Sequence, residues 1–204
     1  MTRSPVLPAL AAALWLLLAG LAMAHEGPHT RKALPADDFS AIEKKSRDYF
    51  SDAPLVDQDS RPVRFYSDTL KNHTVLINVV YTECKDACPL ITRSLVEVRK
   101  ALGSDAPATI RFISISVDPE RDTPAALRKF ARDHEAEHPS WLFLTGRKSV
   151  VDGVTRKLGQ YASEPEMHTS LLIAGNVDRG HWIKIRPDTK PELIAARLRD
   201  LARP

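Results

Sequence analysis

Residues 75–89 read V-L-I-N-V-V-Y-T-E-C-K-D-A-C-P. From Val75 to Tyr81 the run is apolar and β-branched, the pattern of a strand buried on both faces in the middle of an α/β sheet. It runs directly into Cys84 and Cys88, the two cysteines of the chain. Pro89 follows at once. Proline clashes with the preceding turn inside a helix but suits its start, so a helix is expected to begin near Cys88. Both thiols then lie at the carboxyl end of a central strand, where open α/β sheets place their sites. Helix-terminal amides make the local potential positive and favour thiolate over thiol. Thiolates are nucleophiles and soft-metal ligands, so the chemistry is redox, metal binding or both.

Working outward, residues 50–66 alternate around the polar turn Asp57-Gln58-Asp59-Ser60. This predicts a β-hairpin whose second strand is confined to a sheet edge by Pro62. Pro89 to Leu102 carries Leu90, Ile91, Leu95, Val98 and Leu102 at helical spacing, and Gly103 stops the helix. Thr109 to Val117 reads as a second buried strand. Asp118 to Pro124 is a loop ending in an N-cap, Asp122 or Thr123, ahead of a helix from about 124 to 137. Trp141 to Leu144 is a strand, and Lys148 to Leu158 a helix ended near Gly159. Thr169 to Ala174 is a strand, Gly175 to Gly180 a turn, and His181 to Ile185 its antiparallel partner. Pro191 to Ala202 is a closing amphipathic helix. The order predicts a mixed α/β sheet covered on both faces. It is a thioredoxin-like fold with an added N-terminal β-hairpin and a C-terminal β-hairpin plus helix.

The 204 residues suit one domain with flanks. Arg3, the apolar run Val6 to Leu21 and Ala22-Met23-Ala24 form a secretory signal pattern, residues 1–24, cut before His25. A membrane span needs about 20 apolar residues, so a retained N-terminal anchor is the alternative reading. A cleaved leader implies the periplasm or an equivalent exported space, which permits a disulfide between Cys84 and Cys88. Residues 25–48 are polar and read as a flexible or loosely helical arm before a domain at 49–204. With 29 basic and 26 acidic residues and no basic stripe with interleaved aromatics, nucleic acid is not an expected partner. Membrane contact is expected only through partners.

Cys84-x-x-x-Cys88 is one residue longer than the redox spacing of thioredoxin-type sites. Two thiolates suit Cu(I) and leave room for a third donor. His168 opens the strand expected beside the central one, near the thiols. Its position alone fits a metal ligand or an ordinary strand-end histidine. Met167 could add a weak thioether donor, or be a plain loop residue. After cleavage His25 would carry a free α-amine, and with His29 close behind it could chelate Cu(II); a solvated tail is the simpler reading. His134-Glu135-Ala136-Glu137-His138 matches the zinc-protease pattern, but it falls at a helix end amid charges and before Pro139. A purely structural disulfide across three residues would close too small a loop to gain much entropy.

Three segments together carry a family resemblance: Tyr81-Thr82-x-Cys84-x-Asp86-x-Cys88-Pro89, Ser116-Val117-Asp118-Pro119-Glu120-Arg121-Asp122-Thr123-Pro124, and His168. Over about residues 50–203 the chain resembles the Sco family, thioredoxin-fold proteins of cytochrome oxidase copper assembly. The resemblance implies that Cys84, Cys88 and His168 bind one copper per monomer, as Cu(I) or Cu(II). It also implies that the partner is the copper-bearing subunit of cytochrome c oxidase, or another periplasmic copper protein. Asp118 is implied as a supporting or partner-contact residue; loop hydrogen bonding is its plainer role. The chain departs from the family in having Met167 where an Asp usually precedes the ligand His, a short loop from Tyr161 to Met167, and Lys85 in place of a frequent proline.

Two functions follow. One is a metallochaperone that passes copper by ligand exchange to a binuclear copper A site. The other is a thiol–disulfide oxidoreductase, with Cys84 and Cys88 as catalytic pair, that reduces the cysteines of such a site. A peroxidase, or a copper or redox sensor, has less in the sequence to support it.

Overall fold

The computed structural model describes residues 36–203. The signal pattern, its cleavage site, His25 and His29 lie outside the described residues. In chain order the elements are α1 (Ala36–Phe50), β1 (Pro54–Asp57), β2 (Pro62–Arg64), a π-helical turn (Phe65–Leu70), β3 (Thr74–Val80), α2 (Ala87–Leu102), β4 (Ile110–Ser116), α3 (Pro124–Asp133), β5 (Trp141–Thr145), α4 (Lys148–Lys157), β6 (Leu172–Asn176), β7 (His181–Ile185) and α5 (Pro191–Ala202). Short 3-10 turns at Pro165–Met167 and Val177–Arg179 flank β6.

The seven strands of the described residues join one sheet in the order β2-β1-β5-β4-β3-β6-β7. The stretch that opens with Val75 is its centre. β3 is buried along its whole length, parallel to β4 and antiparallel to β6. Alternate side chains of β3 enter two cores, as the two-residue period requires. Leu76 and Val80 face α2 and α5 with Cys84, Cys88, Leu95 and Leu198. Val75 and Ile77 face the other side with Phe50, Phe65, Val151 and Val154. Asn78 interrupts the apolar run without penalty. Its amide oxygen accepts the Ser114 hydroxyl from β4 at 2.8 Å, and the Trp141 indole N–H donates to Ser114 at 3.0 Å.

The hairpin is where the alternation places it, with β2 at the sheet edge. The buried Asp57 carboxylate builds its turn, accepting the backbone N–H of Asp59 and Arg61 and the Arg61 guanidinium. Three expectations change. Residues 36–48, expected as part of a flexible or loosely helical arm, lie in α1 (Ala36–Phe50), a regular helix in the same compact unit as the sheet. Phe50 packs on Trp182 with ring centroids 4.9 Å apart, and Glu43 pairs with Lys71 at 2.6 Å; sparse anchors suffice because each meets a specific partner on the rest of the domain. α3 stops at Asp133, four residues early. Glu135 takes a left-handed φ of 56°, and Ala136, fully buried, donates to the Ala131 carbonyl at 2.7 Å. That is a Schellman closure without glycine. β6 starts at Leu172, so His168 stands in the loop before the strand.

One close approach fixes the β6–β7 pair. Gly175 lies opposite Trp182, and a Cβ there would come within 2.2 Å of the indole. Gly175→Ala is expected to displace the ring and cost about 1–2 kcal/mol, read from denaturant midpoints at constant m.

Candidate metal centre

Cys84 follows the end of β3 on a turn closed by its N–H donating to the Tyr81 carbonyl at 3.2 Å. Cys88 lies in the first turn of α2 and donates its backbone N–H to the Cys84 sulfur at 3.2 Å. Cys84 is 9% exposed and Cys88 1%. Both are free thiols, so the disulfide that an exported compartment permits is not formed here. The amide aimed at Cys84 Sγ stabilises a thiolate there.

That asymmetry sets their acidities. Burial raises the Cys84 thiol, but hydrogen bonds from Cys88, from the Asp86 backbone and from the Tyr81 hydroxyl outweigh it, and the net direction is down. Burial, then the hydrogen bond to Cys84, pushes Cys88 up to about 12. The outer sulfur is therefore the one poised as thiolate, and the inner one keeps its proton. Tyr81→Phe is expected to raise the Cys84 pKa toward that of an ordinary thiol. Its alkylation rate at neutral pH then falls and its pH profile moves to higher pH, measured with iodoacetamide.

His168 arrives from 80 residues further on. The 3-10 turn Pro165–Met167 delivers it, and its ring stands edge-on to Tyr81 at 5.8 Å between centroids. Nδ1 lies 3.0 Å from the Thr169 carbonyl, which can only accept, so Nδ1 carries the proton and Nε2 offers its lone pair. Nε2 is 3.7 Å from Cys88 Sγ. Gln160, buried behind this loop, donates to the Leu171 carbonyl at 2.9 Å and pins its return into β6. Among the described residues no three His, Cys, Asp or Glu side chains close into a ready metal cluster; the contact made is Cys88 with His168, with Cys84 one turn away. Met167 is 76% exposed. His134 caps α3 and packs on Phe130, and His138 bonds Ser140, so the zinc-protease match does not lie on a helix.

The brace beneath the cysteines was not read from the sequence. Asp122 is fully buried and does not cap α3; Thr123 does, accepting from the Ala126 N–H. Asp122 instead accepts the Thr82 N–H at 3.0 Å and the Thr82 and Ser116 hydroxyls at 2.6 Å each. It ties the ends of β3 and β4 two residues before Cys84. Asp118 does not reach the thiols: it pairs with Arg121, whose other nitrogen meets Glu83 at 3.1 Å.

A seven-stranded α/β sheet with two thiols at the end of its central strand and an imidazole brought against one of them defines a thioredoxin-like protein with a soft-donor site. The family pattern described as SCO1/SenC matches residues 43–203, and the chain belongs to that family. It is 36% identical over 117 residues to the SCO1 protein homolog of Bacillus subtilis, covering 56% of this chain and 59% of that one. The match spans about half to three fifths of the length of such curated relatives. Copper-bound ScoI of Bradyrhizobium japonicum is 30% identical with a TM-score of 0.61, covering 72% of this chain and 96% of that one. BsSco, a Sco-family cytochrome c oxidase assembly protein in which a disulfide switch was identified, is 26% identical with a TM-score of 0.63, covering 73% and 90%.

Proposed function

We propose that this protein is an exported copper carrier that holds one copper through Cys84, Cys88 and His168 and passes it to a copper site of cytochrome c oxidase. The observation that carries the reading is the 3.7 Å contact between Cys88 Sγ and His168 Nε2. Sulfur and nitrogen donors at about 2.3 and 2.0 Å from one ion lie about 3.5–3.7 Å apart at tetrahedral to trigonal angles. The donor set is also chemically apt, since soft thiolates with an imidazole suit copper. The Thr169 carbonyl orients the ring so that Nε2 points its lone pair to the sulfur. In transfer, the more exposed Cys84 is the donor that a partner's thiolate or imidazole displaces first, and the buried Cys88 the last. Copper bound in ScoI and the assembly role of BsSco support the same reading. The signal pattern supports a periplasmic place. Among the described residues no helix is long and apolar enough to cross a membrane.

The acidity split favours a second reading for the same pair. Thiolate Cys84 would attack a partner disulfide, releasing one partner thiolate. Cys88 would then displace the second and close Cys84–Cys88, so the partner gains the two electrons the pair loses. Metal analysis separates the two. Reduced protein is expected to hold one Cu(I) per chain, and Cys84→Ser none at equal competition. A reduced protein that binds no copper, yet traps a mixed disulfide as Cys88→Ser, would leave only the oxidoreductase.

A further inference from the structure

A second built feature lies on the face of the sheet opposite the cysteines. Between α1 and β7 runs a groove of about 680 Å³ lined by Ile42, Phe50, Leu158, Ile173 and Trp182. Its rim carries Lys45, Lys157, Arg179 and Lys184, and among the described residues no Asp or Glu lines it. None of these four cations makes an ion pair among the described residues. The acids on neighbouring segments are engaged elsewhere: Glu43 with Lys71 and Arg47, Asp48 with Lys44, Asp152 with Lys148, and Asp178 with the Asn72 N–H. The floor is preformed, because Gly175 lets the Trp182 indole lie against the sheet and Phe50 holds it from α1. Among the described residues β7 is the outermost strand, so one side of its main chain has no strand partner there.

We propose that this groove docks an extended acidic peptide segment of a partner protein. The segment pairs with the open edge of β7, sets an apolar side chain on Trp182 and meets the four cations with its carboxylates. Strand addition takes its affinity from the main chain and its selectivity from alternate side chains, and charge complementarity selects the sign. Residues 25–35 of this chain do not suit the groove, because Arg31 and Lys32 outweigh Glu26. A second copy packed symmetrically would set four cations against four. Neither copper nor the cysteines take part in this docking.

The test is fluorescence anisotropy of the purified protein with a labelled heptapeptide of alternating Glu and Leu, beside its Lys–Leu counterpart. The acidic peptide is expected to bind saturably and shift the Trp182 emission, and the basic one not to bind. Lys45→Glu with Lys184→Glu should weaken binding about tenfold or more, while Lys129→Glu on α3, a cation already paired with Asp133, should leave it unchanged. Methylating alternate peptide nitrogens should weaken it comparably. The proposal is overturned if both peptides bind alike, if the Lys129 variant loses as much, or if methylation has no effect. It is likewise overturned if anionic phospholipid vesicles retain the protein while the acidic peptide does not bind.

Discussion

His168→Ala is expected to bind Cu(I) at least about 100-fold more weakly than the wild type. Loss of a group that merely orients a ligand already costs about 10–100-fold, and here the ligand itself goes. The expectation rests on Nε2 lying 3.7 Å from Cys88 Sγ with its lone pair free, because Nδ1 is committed to the Thr169 carbonyl. Competition with a Cu(I) chelator measures it, and the Cu(II) spectrum of the same variant should change in parallel. Unchanged affinity and spectrum would reduce the site to two sulfurs. The pH dependence separates a lost ligand from a disturbed pair. Metal binding must displace the proton that Cys88 keeps, since burial holds its thiol up to about 12. Across neutral pH the affinity therefore rises at least about tenfold per pH unit and falls correspondingly toward acid. The variant should keep that slope at a lower level, because the Cys88 sulfur still has to give up its proton.

The central strand, the thiol-bearing turn and the start of α2 were legible because each depends on local pattern: a buried apolar run, then cysteines, then a proline only a helix start accommodates. The hairpin and the edge position of β2 were legible through Asp57 and Pro62 for the same reason. What could not be read depends on distant partners. α1 has few apolar residues, and only the sheet shows that Phe50 and Tyr49 have somewhere to go: Phe50 onto Trp182, Tyr49 to the Lys157 carbonyl. The end of α3 is set by Glu135 in a left-handed conformation, a role the sequence gives no glycine or asparagine to announce. His168 was singled out with its strand starting too early, because Thr169 and Leu171 look β-prone while a hydrogen bond from the Leu171 N–H to the Thr169 hydroxyl holds them in a turn. Of the two cap candidates the sequence offers, Thr123 takes the role, and nothing local announces that the Asp122 carboxylate turns back to Thr82 and Ser116.

The second large effect belongs to Asp122. Asp122→Ala is expected to cost about 3 kcal/mol, because it leaves the Thr82 N–H and two hydroxyls facing a void where a carboxylate accepted all three. For a chain of this size that lowers the melting temperature by roughly 6–12 °C. Asp122→Asn should cost about 1 kcal/mol, since the amide oxygen still accepts from Thr82 and the Ser116 hydroxyl can reverse to accept. The pH dependence carries a definite sign. Burial raises the Asp122 carboxyl above its ordinary value, against the hydrogen bonds from Ser116 and Thr82. The folded protein thus holds that proton more readily than the unfolded chain. Its contribution to stability is full below the ordinary carboxylate range and declines as pH rises through the folded value. Asn has no such titration, so the deficit of Asp122→Asn should be largest in acid and shrink toward neutral pH, in urea midpoints taken across the acid range. A deficit that grows with pH would mean the ionised carboxylate is favoured by the fold. Because Thr82 lies two residues before Cys84, Asp122→Ala should also slow Cys84 alkylation while Asp122→Asn leaves it near wild type. If both variants unfold alike yet alkylate normally, the brace holds the sheet and not the thiol turn.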